Sequence, residues 1–373
     1  MKVVHLLSCG GWSSDAYWAA RMCRELTRAG HEATLVCRRG TEERVMSRAR
    51  EEGVQRIESL SFRSGLRPAA DLRDMRTLRA WLPRVDVVHV HRGKEHWLAA
   101  IANRLSSRRR PLVRTRHIVQ PLRPHALNRW LYGQATDLVV TVSEAIRRQC
   151  VAAGLALPDH VVALPGGADG ERFRPGRGDG AALRQELRLA AGVPLVGLLS
   201  GFRVMKGHAM VVEAAQRLIG SGRAFHLLFV GQGPFEAATR ESVVRAGLGD
   251  RVSFLGFVDD PARVVGDLDI ALYPPLESDG MSRVLFEYLA AGRAVIASRV
   301  GVAAEVLRDD ESALLVPGGD APELARALAT LLDDGALRRR LGERAAALCH
   351  ERLTGARVAA SLLGHYRRLA ARS

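Results

Sequence analysis

Two carboxylates, Asp279 and Glu287, stand eight positions apart in ESDGMSRVLFEYLAAG, residues 277–292, with Gly280, Met281, Ser282, Arg283 and Val284 between them. Two cations, Arg203 and Lys206, stand three apart in LLSGFRVMKGH, residues 198–208. Paired cations where a strand turns into a helix suit a diphosphate, because the free N–H groups of the helix start face the same way. Ser282, Arg283 and Val284 open a second helix, and Gly280 before it lets the backbone approach a phosphate oxygen closely. A carboxylate accepts two hydrogen bonds from a vicinal diol, so Glu287, a turn inside that helix, suits a ribose. Asp279, ahead of the helix, reaches the hydroxyls of a second sugar. The ligand these types describe together is a nucleotide-sugar. Each also has a plain reading: Glu287 as a helix-surface carboxylate, Asp279 as an N-cap, the two cations as a solvated loop. Lysine occurs only at Lys2, Lys94 and Lys206, which favours a purpose for the third.

The elements that must position these groups are legible as apolar runs. VVHLL (3–7), ATLVC (33–37), DVVHV (86–90), LVRT (112–115) and DLVVTV (137–142) form one series. VPLVGLLS (193–200), FHLLFVG (225–231), VSFLG (252–256), IALYP (270–274) and AVIAS (294–298) form another. Continuous apolar strands separated by amphipathic helices imply parallel sheets covered on both faces. The expected class is therefore α/β, with two doubly wound Rossmann-like domains: residues 1–165 for an acceptor and 166–350 for the nucleotide-sugar. The break falls in the Gly- and Pro-rich 164–180, which reads as a linker and hinge. The Arg- and Ala-rich run 337–371 reads as helical, and residues 351–373 are expected to pack back on the first domain, since Leu362, Leu363 and Tyr366 need burial.

Composition narrows the class. The 373 residues are 47% hydrophobic and 25% charged, the balance of a globular protein. No run approaches the ~20 apolar residues a spanning helix needs. MKVVHLLSCGGW reads as a first strand rather than a signal peptide, and five cysteines without CxxC spacing suit a reducing, cytoplasmic compartment. The net charge is +15, and residues 1–165, with 28 Lys and Arg against 15 Asp and Glu, hold +13 of it. That half is expected to face something acidic: an acceptor, or an anionic membrane surface met by Arg104, Arg108, Arg109, Arg110, Arg114 and Arg116. Nucleic acid is not expected, because aromatics are only 5% and no nucleic-acid motif is present. His89 and His91 share a strand face, but no third ligand accompanies them at metal spacing, so no metal is expected. The DLD at 267–269 precedes a strand, where Asp269 reads as a helix end.

The second half resembles the family-4 retaining glycosyltransferases of the GT-B fold. Asp279-Gly280 through Glu287 is similar to that family's acidic–Gly–x6–Glu signature, with Asp where Glu is usual. Arg203 and Lys206-Gly207 resemble its Arg and Lys-Gly after the first strand of the second domain. More loosely, PLVRTRH ends in a His at the family's place, VTVSEAIRRQC resembles its Ser-Glu helix start and GGADGERFRP its linker. The resemblance implies two domains with a cleft between them and a C-terminal crossover helix. It implies Arg203, Lys206, His117 and Asp279 as catalytic residues. Gly11, Gly201, Gly280, Met281, Ser282, Arg283, Val284 and Glu287 are the implied donor contacts, and Gly231, Phe257 and Val258 the implied base contacts. As a residue, His117 is equally readable as a ligand or as packing.

The implied activity is transfer of a sugar, with retention, from a nucleotide-diphosphate donor to a hydroxyl of a glycan or glycolipid, without cofactor or metal. The style of 278–301 resembles bacterial enzymes of lipopolysaccharide core and surface-glycan synthesis, which places the expected protein in the cytoplasm, peripheral to the membrane. A GT-B phosphorylase, a nucleotide-sugar epimerase and a non-enzymatic basic binding protein are the alternatives.

Overall fold

The computed structural model describes residues 1–177, 182–278 and 281–372. The chain divides into two compact units, Met1–Gly166 with Gly355–Ser373, and Gly167–Thr354.

In the first unit seven strands pair in parallel: β1 (Lys2–Leu7), β2 (Glu32–Arg38), β3 (Arg56–Leu60), β4 (Val87–Val90), β5 (Leu112–Arg116), β6 (Leu138–Thr141) and β7 (Val161–Ala163). Their order is β3-β2-β1-β4-β5-β6-β7. The chain therefore winds one way from β1 to β3 and the other way from β4 on, which puts a switch point between β1 and β4. In open parallel sheets ligands lie beyond the carboxyl ends of strands at such a point, because the connections diverge there and leave a crevice. The central strands are buried, as their apolar runs require: β1, β4, β5 and β6 expose almost nothing.

The second unit repeats the plan with β8 (Leu195–Leu199), β9 (His226–Val230), β10 (Val252–Leu255), β11 (Ile270–Tyr273), β12 (Ala294–Ser298) and β13 (Leu314–Val316), in the order β10-β9-β8-β11-β12-β13. Its switch point lies between β8 and β11. Its core gathers Val196, Leu198, Phe229, Ile270, Leu272 and Ile296 from the strands with Val211, Leu324, Leu328 and Leu341 from the helices.

The run 337–371 is not one helix. It breaks at Leu353-Thr354 into Gly335–Arg352, which belongs to the second unit, and Gly355–Ala370, which belongs to the first and packs on the helix Ser14–Arg28. Leu362, Leu363 and Tyr366 are buried there. Gly355 at its start lets the two helices approach closely, since a Cβ there would lie 3.0 Å from the Arg21 side chain.

Candidate functional site

Arg203 and Lys206 follow β8, and residues 274–278 follow β11, so both sit at the switch point of the second unit. The strand does not pass directly into a helix. Val204–Lys206 form a short 3-10 turn, Gly207 adopts the left-handed conformation at φ +75°, and the helix starts at His208. Gly207 is obligatory twice over: its φ disfavours a side chain, and a Cβ would stand 2.0 Å from the Pro274 carbonyl oxygen. Backbone thus packs on backbone between the two loops, and Leu276 donates its N–H to the Met205 carbonyl, 2.9 Å away. Arg203 is exposed and Lys206 half-buried.

The helix Arg283–Ala290 is capped by Ser282, whose hydroxyl accepts the Leu285 N–H at 3.4 Å. Met281 and Ser282 are buried, Val284 is half-buried and Arg283 is exposed. Glu287 is not a surface residue: it is only 3% exposed. Its carboxylate pairs with the Arg283 guanidinium at 3.1 Å, so Arg283 brings its side chain, besides its backbone, to this helix start. One turn of helix separates the two, the spacing at which opposite charges meet. Tyr288 accepts the Leu199 N–H at 2.8 Å, fixing the helix to the end of β8. Asp279 and Gly280 lie outside the described residues.

Gly201, Gly231 and Phe257 lie at the ends of β8, β9 and β10. Gly201 is exposed. Gly231, at φ +138°, leaves room for the Ser200 carbonyl, which a Cβ would approach to 2.2 Å, so packing alone already demands glycine there. Phe257 is 63% exposed, an unusual position for a large ring, and Val258 beside it is half-buried. His208 was not singled out by sequence. It stacks on Phe202 with 4.3 Å between ring centres, and burial, with the Lys206 charge, lowers its pKa to about 4.

DLD is structural. Asp267 ends the helix Pro261–Asp267, whereas Asp269, expected as a helix end, accepts the Leu195 N–H at 2.7 Å and pairs with Arg184, bracing the entry to β8.

The first unit has its own cluster at its switch point. The Gly10-Gly11 turn follows β1, and Asp15 just beyond it pairs with Arg92, which follows β4. Burial pushes the Asp15 carboxyl up, but the Arg92 hydrogen bond, His117, Ser13 and the Arg92 charge outweigh it and hold the pKa at about 2. Nothing crowds a Cβ at Gly11. Neither Asp15 nor Arg92 carries a sequence signature.

Behind this turn the structure corrects the reading of His89 and His91. A third imidazole does accompany them. Parallel pairing sets His5 of β1 opposite His89 of β4, and His5, His89 and His91 bring ring nitrogens within 4.8 Å of one another. His91 in turn reaches His117 at 3.1 Å. No linear spacing reveals a partner 84 residues away. Burial keeps all four rings neutral, with His5 and His117 lowered to about 3.

The expected basic surface is also smaller than its sequence. Arg114 and Arg116 lie on β5 and are buried, and Arg110 spends its guanidinium on the carbonyls of Leu82 and Pro83. Only Arg104, Arg108 and Arg109 of that run are exposed.

Residues 16–172 match the family model described as Glycosyltransferase Family 4, and residues 193–334 that of Glycosyl transferases group 1. The chain belongs to this glycosyltransferase family. A D-inositol 3-phosphate glycosyltransferase of Nocardia farcinica is 32% identical over 288 residues, 70% of this chain. The chain covers 62% of that relative's length, less than two thirds. A glycosyltransferase of Rickettsia africae superposes with a TM-score of 0.87 at 19% identity, covering 100% of both chains. Anabaena HepE, solved in complex with UDP, gives 0.84 at 20% identity, covering 99% of this chain and all of its own. The fold of this family member is GT-B, with two parallel-sheet units.

Proposed function

We propose that the chain transfers a sugar, with retention of anomeric configuration, from a nucleotide-diphosphate donor to a hydroxyl of a glycan or glycolipid acceptor. The carrying observation is the joint at the second switch point. The Arg203–Lys206 turn and the loop leading to Ser282 are bonded to each other, and the helix bearing buried Glu287 is bonded to β8. Cations and a capped helix start meet the diphosphate, and they oppose the charge that grows on it as the sugar leaves. Glu287, kept rigid by burial and by Arg283, accepts from the ribose diol. The Gly231 turn and exposed Phe257 form the base side. Asp279 and His117 hold hydroxyls of the transferred sugar. No metal has a part, because fixed cations take the role of a counter-ion.

The likeness to HepE, which binds UDP, supports a nucleotide donor. The acidic character expected of the acceptor rests on the +13 charge of residues 1–165. An inositol phosphate, as in the Nocardia relative's name, and a lipopolysaccharide core share the chemistry of hydroxyls beside anionic groups. A bacterial surface-glycan role, at the cytoplasmic side of the membrane, follows from the motif style. Thermal stabilisation by a panel of nucleoside diphosphates tests the reading, since a ligand at 100 times its dissociation constant adds ~2.7 kcal/mol. A chain stabilised by none of them would overturn it. Product analysis with labelled donor separates transfer from phosphorolysis and epimerisation.

A further inference from the structure

We propose that Thr115, His89, Tyr366, His5 and His91 form a proton-ordered wire that fixes His117 as its Nδ1–H tautomer, which makes Tyr366, from the C-terminal helix, a positioning residue for the candidate site.

The contacts form one unbranched chain. Thr115 Oγ1 lies 2.6 Å from His89 Nε2, and His89 Nδ1 bonds the Tyr366 hydroxyl. That hydroxyl lies 3.4 Å from His5 Nε2. His5 Nδ1 lies 3.0 Å from His91 Nε2, and His91 Nδ1 lies 3.1 Å from His117 Nε2. Thr115, His5, His89, His91 and Tyr366 are buried, with at most 2% exposure. A neutral imidazole donates from one nitrogen and accepts at the other, so each link dictates the next. Of the three possible arrangements, the one in which Tyr366 accepts from both His89 and His5 leaves the Tyr366 proton and the His117 Nδ1 lone pair unmet; the other two run one way through the whole wire.

In one, Thr115 donates to His89, His89 to Tyr366, Tyr366 to His5, His5 to His91, and His91 to His117 Nε2. Every proton then has an acceptor except the last, on His117 Nδ1. In the other, His117 donates inward, and the run ends with His89 donating to Thr115. The Thr115 proton then has no acceptor among the described residues, and the His117 Nδ1 lone pair is left over as well. His117 Nδ1 is sealed from solvent and meets no partner among the described residues. The first arrangement leaves one unmet group, each of the others two, and each unmet buried group costs roughly 1–3 kcal/mol. The first therefore prevails. His117 Nε2 is occupied as an acceptor, so the ring is no general base. It offers a single N–H, suited to a hydroxyl or phosphate oxygen.

The same trio invites a metal, and the wire argues against one. His5, His89 and His91 stack with interplanar angles of 11° to 29°. A metal needs free lone pairs aimed at one point. All six of their nitrogens are already bonded within the wire.

The use of His117 toward a sugar rests on the function proposed above; its tautomer does not. The test is two-bond proton–nitrogen correlation on the full chain labelled in its imidazole nitrogens, with His117 assigned by its loss in His117→Gln. The expected result is a protonated Nδ1 on His117 in the parent, and the opposite tautomer appearing in Thr115→Val and in Tyr366→Phe. An Nε2–H His117 in the parent, or no change in either variant, would overturn the wire. So would stoichiometric Zn²⁺ binding that displaces the imidazole protons. If Tyr366→Phe fails to fold, near-isosteric Thr115→Val carries the same test. Tyr366→Phe should lower transfer about tenfold, the worth of one hydrogen bond, with nucleoside diphosphate affinity unchanged. Full transfer with a shifted tautomer would end the positioning role. A parent without transferase activity would end the proposed function while leaving the tautomer result standing.

Discussion

Leu199 donates its backbone N–H to the Tyr288 hydroxyl, 2.8 Å away, and so fastens the helix carrying Glu287 to the strand that launches Arg203 and Lys206. Both groups are buried, and full burial of Tyr288, with the Glu287 charge beside it, pushes its phenol well above the usual range. Tyr288→Phe leaves the Leu199 N–H without an acceptor, at a cost of roughly 1–3 kcal/mol. Urea unfolding should register that loss, and nucleoside diphosphate binding should weaken with it. A variant as stable as the parent would mean that the bond does not hold the joint.

Lys206→Ala should abolish transfer and leave the fold intact, because the side chain is half-buried at a loop and fills no core. Circular dichroism and a transfer assay on the same preparation check both halves. Activity should also survive a chelator. Loss on chelation, with rescue by a divalent cation, would return attention to the histidine trio.

Glu287→Gln should weaken binding of the bare nucleoside diphosphate, since a neutral amide is a poorer acceptor for a diol than a carboxylate. It also removes the anion that the Arg283 guanidinium meets at Glu287. Asp279→Asn should spare that affinity and lower transfer. Calorimetry on the two variants separates the roles, and an equal loss in both would remove the division between ribose and sugar.

Stability should fall as the pH drops below 6.5. In the folded chain His5 and His117 stay neutral down to about 3, and burial depresses His89, His91 and His96 as well. Unfolded histidines take up protons near 6.5, so between that pH and about 3 the unfolded state binds more protons and is favoured. Each such ring contributes up to ~1.4 kcal/mol per pH unit over the window. Asp15, held at about 2, adds its loss only below the ordinary Asp range. Urea midpoints at pH 7.5, 6.5 and 5.5 should decline steeply, and a flat series would contradict the buried neutral cluster.

Arg104, Arg108 and Arg109 are the exposed part of the basic run, and each cation near an anionic surface is worth about 1 kcal/mol. The chain should sediment with anionic vesicles at low salt, release at high salt, and ignore neutral ones. Replacing Arg108 and Arg109 by Ser should reduce the binding. Retained binding would make the run an ordinary solvated face. Among the described residues no helix is long and apolar enough to cross a membrane.

The sequence by itself determined the two parallel sheets and the local pattern of the second unit, with Arg203 and Lys206 beside each other and Ser282 at a helix start. Buried central strands must be apolar throughout, so they read as runs, and residues of a single turn stay adjacent in sequence, as Arg203 and Lys206 do. The edge strands β3, β7 and β13 were not legible. β3 interrupts its apolar residues with charged and polar ones in RIESL, and the other two are three residues long, because an edge has one neighbour and a wetter face. Tertiary structure alone decided that Glu287, Arg114 and Arg116 are buried, and that His5, from one strand, Tyr366, from the last helix, and His117 meet in one wire. Parallel pairing and helix docking join residues hundreds of positions apart, and no local period or spacing carries that information.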